Sequence, residues 1–122
     1  MVPCERAGFP HWSPPKLVTP PSVHPADLVE VEGGRVLIVV GNRAGPFGVL
    51  GMVSDAQQQF GGARRFALVD DARGGDCEYP SSITLRGGRA LTVYYATRVK
   101  EHPEWRVHCG AMAFDVPAAE RP

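Results

Sequence analysis

HPADLVEVEGGRVLIVVGNR (residues 24–43) and EYPSSITLRGGRALTVYYATR (residues 78–98) are two copies of one phrase. Each reads as an alternating apolar strand, a Gly-Gly turn (Gly33 and Gly34; Gly87 and Gly88) followed by Arg, and a second strand rich in Val, Leu, Ile and Tyr. The copies lie about 54 residues apart, a period at which self-similarity marks a repeat architecture. A repeat unit cannot bury its apolar faces alone, so its function belongs to a stack of such units, and this chain holds two.

On either side of the phrase, period-two alternation and turn residues predict strands at 16–19, 26–31, 35–41, 48–54 and 65–69, then at 81–85, 89–96 and 106–114. If the strands of a unit are labelled A to D, the chain holds a lone D, a complete A-B-C-D, and an A-B-C without its D. The predicted fold is all-β, built of antiparallel four-stranded blades of a β-propeller, with the A strands lining a central channel and the D strands at the rim. A β-sandwich is the alternative that strand patterns leave open. The corresponding division is 1–20 as the remnant of a preceding blade with its outer strand, 21–70 as a blade, 71–116 as a last blade lacking its outer strand, and 117–122 as a tail.

Composition narrows the partners. A chain of 122 residues with 43% hydrophobic content suits one modest domain. Its 13 Lys plus Arg balance 13 Asp plus Glu and are dispersed, so no one-sided basic footprint for nucleic acid or an anionic membrane is present. The 14 Gly and 12 Pro fall between apolar runs, which favours short strands over long helices. No apolar run approaches the roughly 18 residues of a membrane-spanning helix. The stretch MVPCERAGFPHWSPP shows no signal-peptide pattern, and the expected localisation stays open between a secreted and a cytoplasmic parent. Cys4, Cys77 and Cys109 read as ordinary thiols, with a Cys77–Cys109 bridge as the alternative, and neither a metal site nor a cofactor is expected.

Three segments resemble one known family. Trp12-Ser13-Pro14-Pro15 resembles the tail of an Asp-box, the SxDxGxTW hairpin between strands C and D of sialidase-like propellers of the BNR-repeat family. Ser54-Asp55-Ala56-Gln57-Gln58-Gln59-Phe60 occupies the corresponding place in the next blade, keeping the Ser and an Asp but not the Gly and Trp. Tyr79-Pro80-Ser81-Ser82-Ile83, with Gly87-Gly88-Arg89 and Leu91-Thr92-Val93-Tyr94-Tyr95 after it, is similar to the last blade of that family. The resemblance spans residues 12–114 and implies the C-terminal two blades of a six-bladed propeller.

It also implies a chemistry. Sialidases use a tyrosine nucleophile where most glycosidases use a carboxylate, and a neutral group suits a sugar that is itself anionic. Tyr79 matches that position; the bland reading packs it against the neighbouring blade as a half-buried aromatic. The family grips the substrate carboxylate with three arginines, and Arg43 is the candidate here, against a solvated loop arginine. His24 and Asp27 are candidates for sugar hydroxyls at the same channel mouth, against a loop in which Asp27 bonds backbone. Asp76 and Glu78 flank Tyr79, but the family's activating glutamate comes from an earlier blade.

The implied function is the C-terminal part of an exo-sialidase-type glycoside hydrolase acting on terminal sialic acid or a related sugar, inactive as an isolated chain. The family's general acid, its first two arginines and its glutamate belong to blades beyond this chain, and groups that act as a unit contribute little singly. A non-catalytic carbohydrate-binding or assembly module is the reading from a different class, and a remnant without selected function a third. The expected partners are a sialoside-like carbohydrate and either the missing N-terminal blades or further copies of the chain. In the second case the copies join head to tail, with strand 16–19 of one copy pairing with the open C-strand edge of another, three copies closing a ring.

Overall fold

The computed structural model describes residues 14–97, 99–102, 104 and 106–118. Within them lie β1 (Val23–Val31), β2 (Arg35–Asn42), β3 (Gly48–Val53), β4 (Arg65–Val69), β5 (Cys77–Leu85), β6 (Arg89–Ala96) and β7 (His108–Asp115). They form two antiparallel sheets, ordered β1-β2-β3-β4 and β5-β6-β7. The all-β expectation is met, and no helix of the described residues is long and apolar enough to cross a membrane.

The repeat is literal in three dimensions. β5 has the nine-residue length of β1 and β6 the eight-residue length of β2. Both hairpins turn through three residues whose last two are glycines at positive φ, 78° and 69° at Gly33 and Gly34, 74° and 71° at Gly87 and Gly88. A β-carbon clashes with the backbone in that left-handed region, so the doubled glycine is what lets the strands close so tightly.

β1 and β5 begin three and four residues before their predicted starts. Proline reads as a strand breaker because it lacks the ladder donor, but a bulge tolerates it. His24-Pro25 bulges opposite Gly41, and Tyr79-Pro80 bulges opposite Tyr94. A second departure is larger. Residues 16–19 form no strand: 14–18 have no regular structure and Leu17 is 87% exposed. Pro14, Pro15, Pro20 and Pro21 frame that stretch and remove the donors a ladder requires. The outer strand expected at 16–19 is therefore not formed within this chain, where no neighbouring strand pairs with it. Trp12 and Ser13 lie outside the described residues.

The sheets pack face to face. Leu37, Val39 and Val49 of the first sheet and Cys77, Ala90 and Ala96 of the second share one core cluster and are fully enclosed. Burying such an aliphatic side chain contributes roughly 1.5–3 kcal/mol. Phe66 and Phe114, one from each sheet, meet with centroids 6.2 Å apart in a tilted arrangement. A smaller cluster, Val23, Ile38, Val40 and Met52 with Phe60 and Ala63 against it, lies on the other face of the first sheet. Cys77 and Cys109 are both free thiols, the first buried and the second exposed.

The loop after β3 is held by its own polar groups. Asp55 Oδ1 accepts the amides of Gln57 at 2.9 Å and Gln59 at 2.8 Å, and Ser54 Oγ accepts the Val36 amide at 2.8 Å. Gln58 takes φ 59° there, and Phe60 turns back onto the smaller cluster.

Candidate functional site

The antiparallel meanders send the ends of β2 and β6 and the beginnings of β1 and β5 to one end of the stack, opposite the two Gly-Gly turns. Tyr79, Arg43 and His24 stand at that end. Tyr79 is 69% exposed and holds a left-handed φ of 54° within its bulge. A non-glycine residue in that conformation costs energy that the surrounding structure must offset, and such residues concentrate at functional sites.

Next to it, Glu78 is buried, with its Oε2 3.6 Å from Arg43 Nη1. The two sheets come close enough for this because Gly41 has no side chain: a β-carbon there falls 2.8 Å from both the Cys77 carbonyl oxygen and Glu78 Cβ. Arg43 sits on an ordered loop, its amide donating to the Ser22 carbonyl at 2.9 Å. Asn42 fixes the following turn, Nδ2 donating to the Pro46 carbonyl at 2.7 Å and Oδ1 accepting the Ala44 amide at 3.2 Å.

Asp76 is engaged as well. Its Oδ2 accepts the Tyr95 hydroxyl at 2.7 Å, and its carbonyl accepts both the amide and the hydroxyl of Thr97. The hydrogen bond to Asp76 raises the Tyr95 phenol above its ordinary pKa, with lesser contributions from desolvation and from the charges of Asp76, Glu78 and Tyr79. Both acids beside Tyr79 are thus committed, Glu78 to a guanidinium and Asp76 to a phenol.

Arg73, Gly74, Thr97 and Arg106 line an open cleft of about 670 Å³ at the same end. Among the described residues, Arg73 and Arg106 have no carboxylate within ion-pair distance, and both are exposed at the cleft. Sequence reasoning passed over both. Arg73 stands in a glycine-rich connection and Arg106 at a predicted strand start, and nothing in linear spacing shows that the two loops meet.

Asp27 does something else. Its Oδ2 accepts the backbone N–H of Ser82 at 2.5 Å, tying β1 to β5 across the two sheets. His24 is exposed in the β1 bulge. Among the described residues no group of three His, Cys, Asp or Glu side chains converges as metal ligands.

No protein-family model matches the chain, and no curated protein matches it. A crystal structure of an unknown-function protein from Dyadobacter fermentans DSM 18053 is similar, with a TM-score of 0.64 and 28% sequence identity over 75% of this chain. The chain spans 24% of the length of that structure.

Proposed function

We propose that the chain is two consecutive blades of a sialidase-like β-propeller and that its loop end forms one wall of a site for a carboxylate-bearing sugar. In this reading the isolated chain binds the sugar without hydrolysing it. The observation that carries the proposal is Tyr79, an exposed aromatic at left-handed φ beside the Arg43–Glu78 pair. A phenol offers a sugar its ring face and a hydroxyl without a competing carboxylate charge. Arg43, Arg73 and Arg106 supply planar donors suited to a carboxylate.

Three further observations support the blade reading. The three strands of the second sheet follow the order of the first three of the four-stranded sheet, and β1 and β5, the first strand of each, are joined through Asp27 and Ser82. The loop between β3 and β4, whose Ser54-Asp55 resembles the Asp-box, is held by Asp55 Oδ1 accepting two backbone amides. The similar crystal structure is a much longer chain, with room for further sheets.

Binding without turnover follows from the commitments of Glu78 and Asp76. Glu78 pairs with Arg43 and Asp76 accepts from Tyr95, and among the described residues no hydrogen bond joins either acid to the Tyr79 hydroxyl, as a general base would require. The test is an NMR titration of the chain with N-acetylneuraminate to about 50 mM, in the weak-affinity range where a partial site binds. Shifts at the amides of Arg43, Tyr79 and Thr97 that vanish in Tyr79→Ala are expected, with no release from a fluorogenic sialoside. Shifts confined to the Gly-Gly turn end, or none at all, would overturn the proposal.

A further inference from the structure

Among the described residues, the second sheet leaves one face uncovered, and it is not a random surface. Ile83, Leu91 and Val93 point away from the first sheet, with Ile83 56% and Val93 45% exposed. Across the repeat these positions correspond to Leu37 and Val39, buried in the core cluster that the two sheets share, and to Val29, packed against it. The exposed face is therefore the repeat-equivalent of a buried interface, and burying such apolar surface is favourable.

The complementary surface is on the same chain. The second sheet meets the first through β5, whose Glu78 and Pro80 are buried and Ser82 half-buried in that contact. Their equivalents on β1 are His24, Ala26 and Leu28, and all three are exposed, Leu28 at 61%. The two surfaces lie on opposite sides of a two-sheet stack and cannot meet within one chain.

The polar link between sheets also has an equivalent. Ser82, opposite Thr92, turns its amide off the β5 edge to Asp27, and Leu28 stands in the same register opposite Ile38. Its amide therefore points off the β1 edge. The position equivalent to Asp27 is Ser81, whose hydroxyl is an acceptor.

We infer that the free face of the second sheet docks the β1 face of a second copy of this chain, repeating the internal sheet-to-sheet contact between molecules. The Ser81 hydroxyl of one copy accepts the Leu28 amide of the next, and Leu28 packs toward Ile83 and Val93. The contact is heterologous, so it either closes a ring or continues as a filament. It stands independently of sugar binding. Closure at three copies, by contrast, rests on the propeller reading of the proposed function and on the six blades that the sequence resemblance implies.

Sedimentation velocity on the full chain from about 1 to 300 µM tests the contact, in the range where a single sheet-to-sheet interface associates. The wild type is expected to associate with concentration. Ile83→Lys and Leu28→Lys should each weaken association at least tenfold while keeping the wild-type near-UV spectrum and cooperative urea transition, both sites being exposed. Mixing the two variants should restore a one-to-one dimer that grows no further, because each supplies the face the other has lost. Ser81→Asp should tighten association. A wild type that stays monomeric at 300 µM overturns the inference. So does loss of association in Ile83→Lys but not Leu28→Lys, which is the result of a face docking on itself, or a mixture that forms no dimer. Failure of the sugar titration with association intact refutes the site alone.

Discussion

Replacing Asp27 by Ala should cost the protein about 2 kcal/mol without reaching the loop-end site directly. The Ser82 amide that Asp27 Oδ2 accepts lies in a partly buried seam between β1 and β5. Removing the carboxylate leaves that N–H without its partner, and an unsatisfied buried donor costs roughly 1–3 kcal/mol. The bond is charge-assisted, which places its worth toward the upper part of that range, while partial access of water returns some of it. Asparagine keeps an acceptor at the same reach but not the charge, so Asp27→Asn should lose about half as much. For a domain whose whole stability is roughly 5–15 kcal/mol, such a loss is easily read in equilibrium urea unfolding. The midpoint should fall in the order wild type, Asn, Ala, with unchanged m-value. If Asp27→Ala stays within about 0.5 kcal/mol of wild type, the carboxylate is not holding the sheets together. If it instead abolishes the N-acetylneuraminate shifts while stability is unchanged, Asp27 acts on ligand as the sequence resemblance implies.

Two further outcomes follow from the same seam. Gly41→Ala places a β-carbon 2.8 Å from the Cys77 carbonyl oxygen, a backbone contact that cannot swing aside; a loss of roughly 1–3 kcal/mol in urea unfolding is expected, and a neutral result would mean that the sheets separate freely there. Burial, and then the charges of Asp71, Asp76 and Glu78, push the Cys77 thiol from 9.0 up to about 11. The fold holds the neutral thiol, so this stabilisation is complete below pH 9.0 and is lost as the pH rises toward 11. Unfolding free energy should therefore fall over that window, less steeply in Cys77→Ala, and parallel profiles for the two proteins would refute the assignment. In a Cys4→Ser background at pH 8, Cys109 should react with a thiol reagent and Cys77 should not.

Of the candidate site, Tyr79 and Arg43 could be singled out from the chain alone because a family phrase surrounds one and a strand end followed by Gly45-Pro46 precedes a turn after the other. Their meeting point could not. Glu78 joins them only because Gly41 lets β2 approach β5, and both ends of that contact look ordinary in linear order. Arg73 and Arg106 are brought to one cleft by loops of different sheets, and linear spacing has no information about such a convergence.

Local chemistry was enough for the elements themselves. Period-two alternation located 65–69 and 89–96 to the residue, and doubled glycines located both tight hairpins, because pleat and left-handed turn are short-range steric properties. Where local signals conflict, the outcome passed to the fold: prolines that read as breakers became bulges inside β1 and β5, where a paired neighbour strand supports them, whereas residues 16–19 had no such neighbour and formed no strand. Which faces are buried, which acids are already spent, and that Asp27 grips a backbone amide on the other sheet are decided only when the two sheets pack. Those contacts join residues tens of positions apart, and the energy that selects them comes from burying whole faces rather than from any residue's own preference.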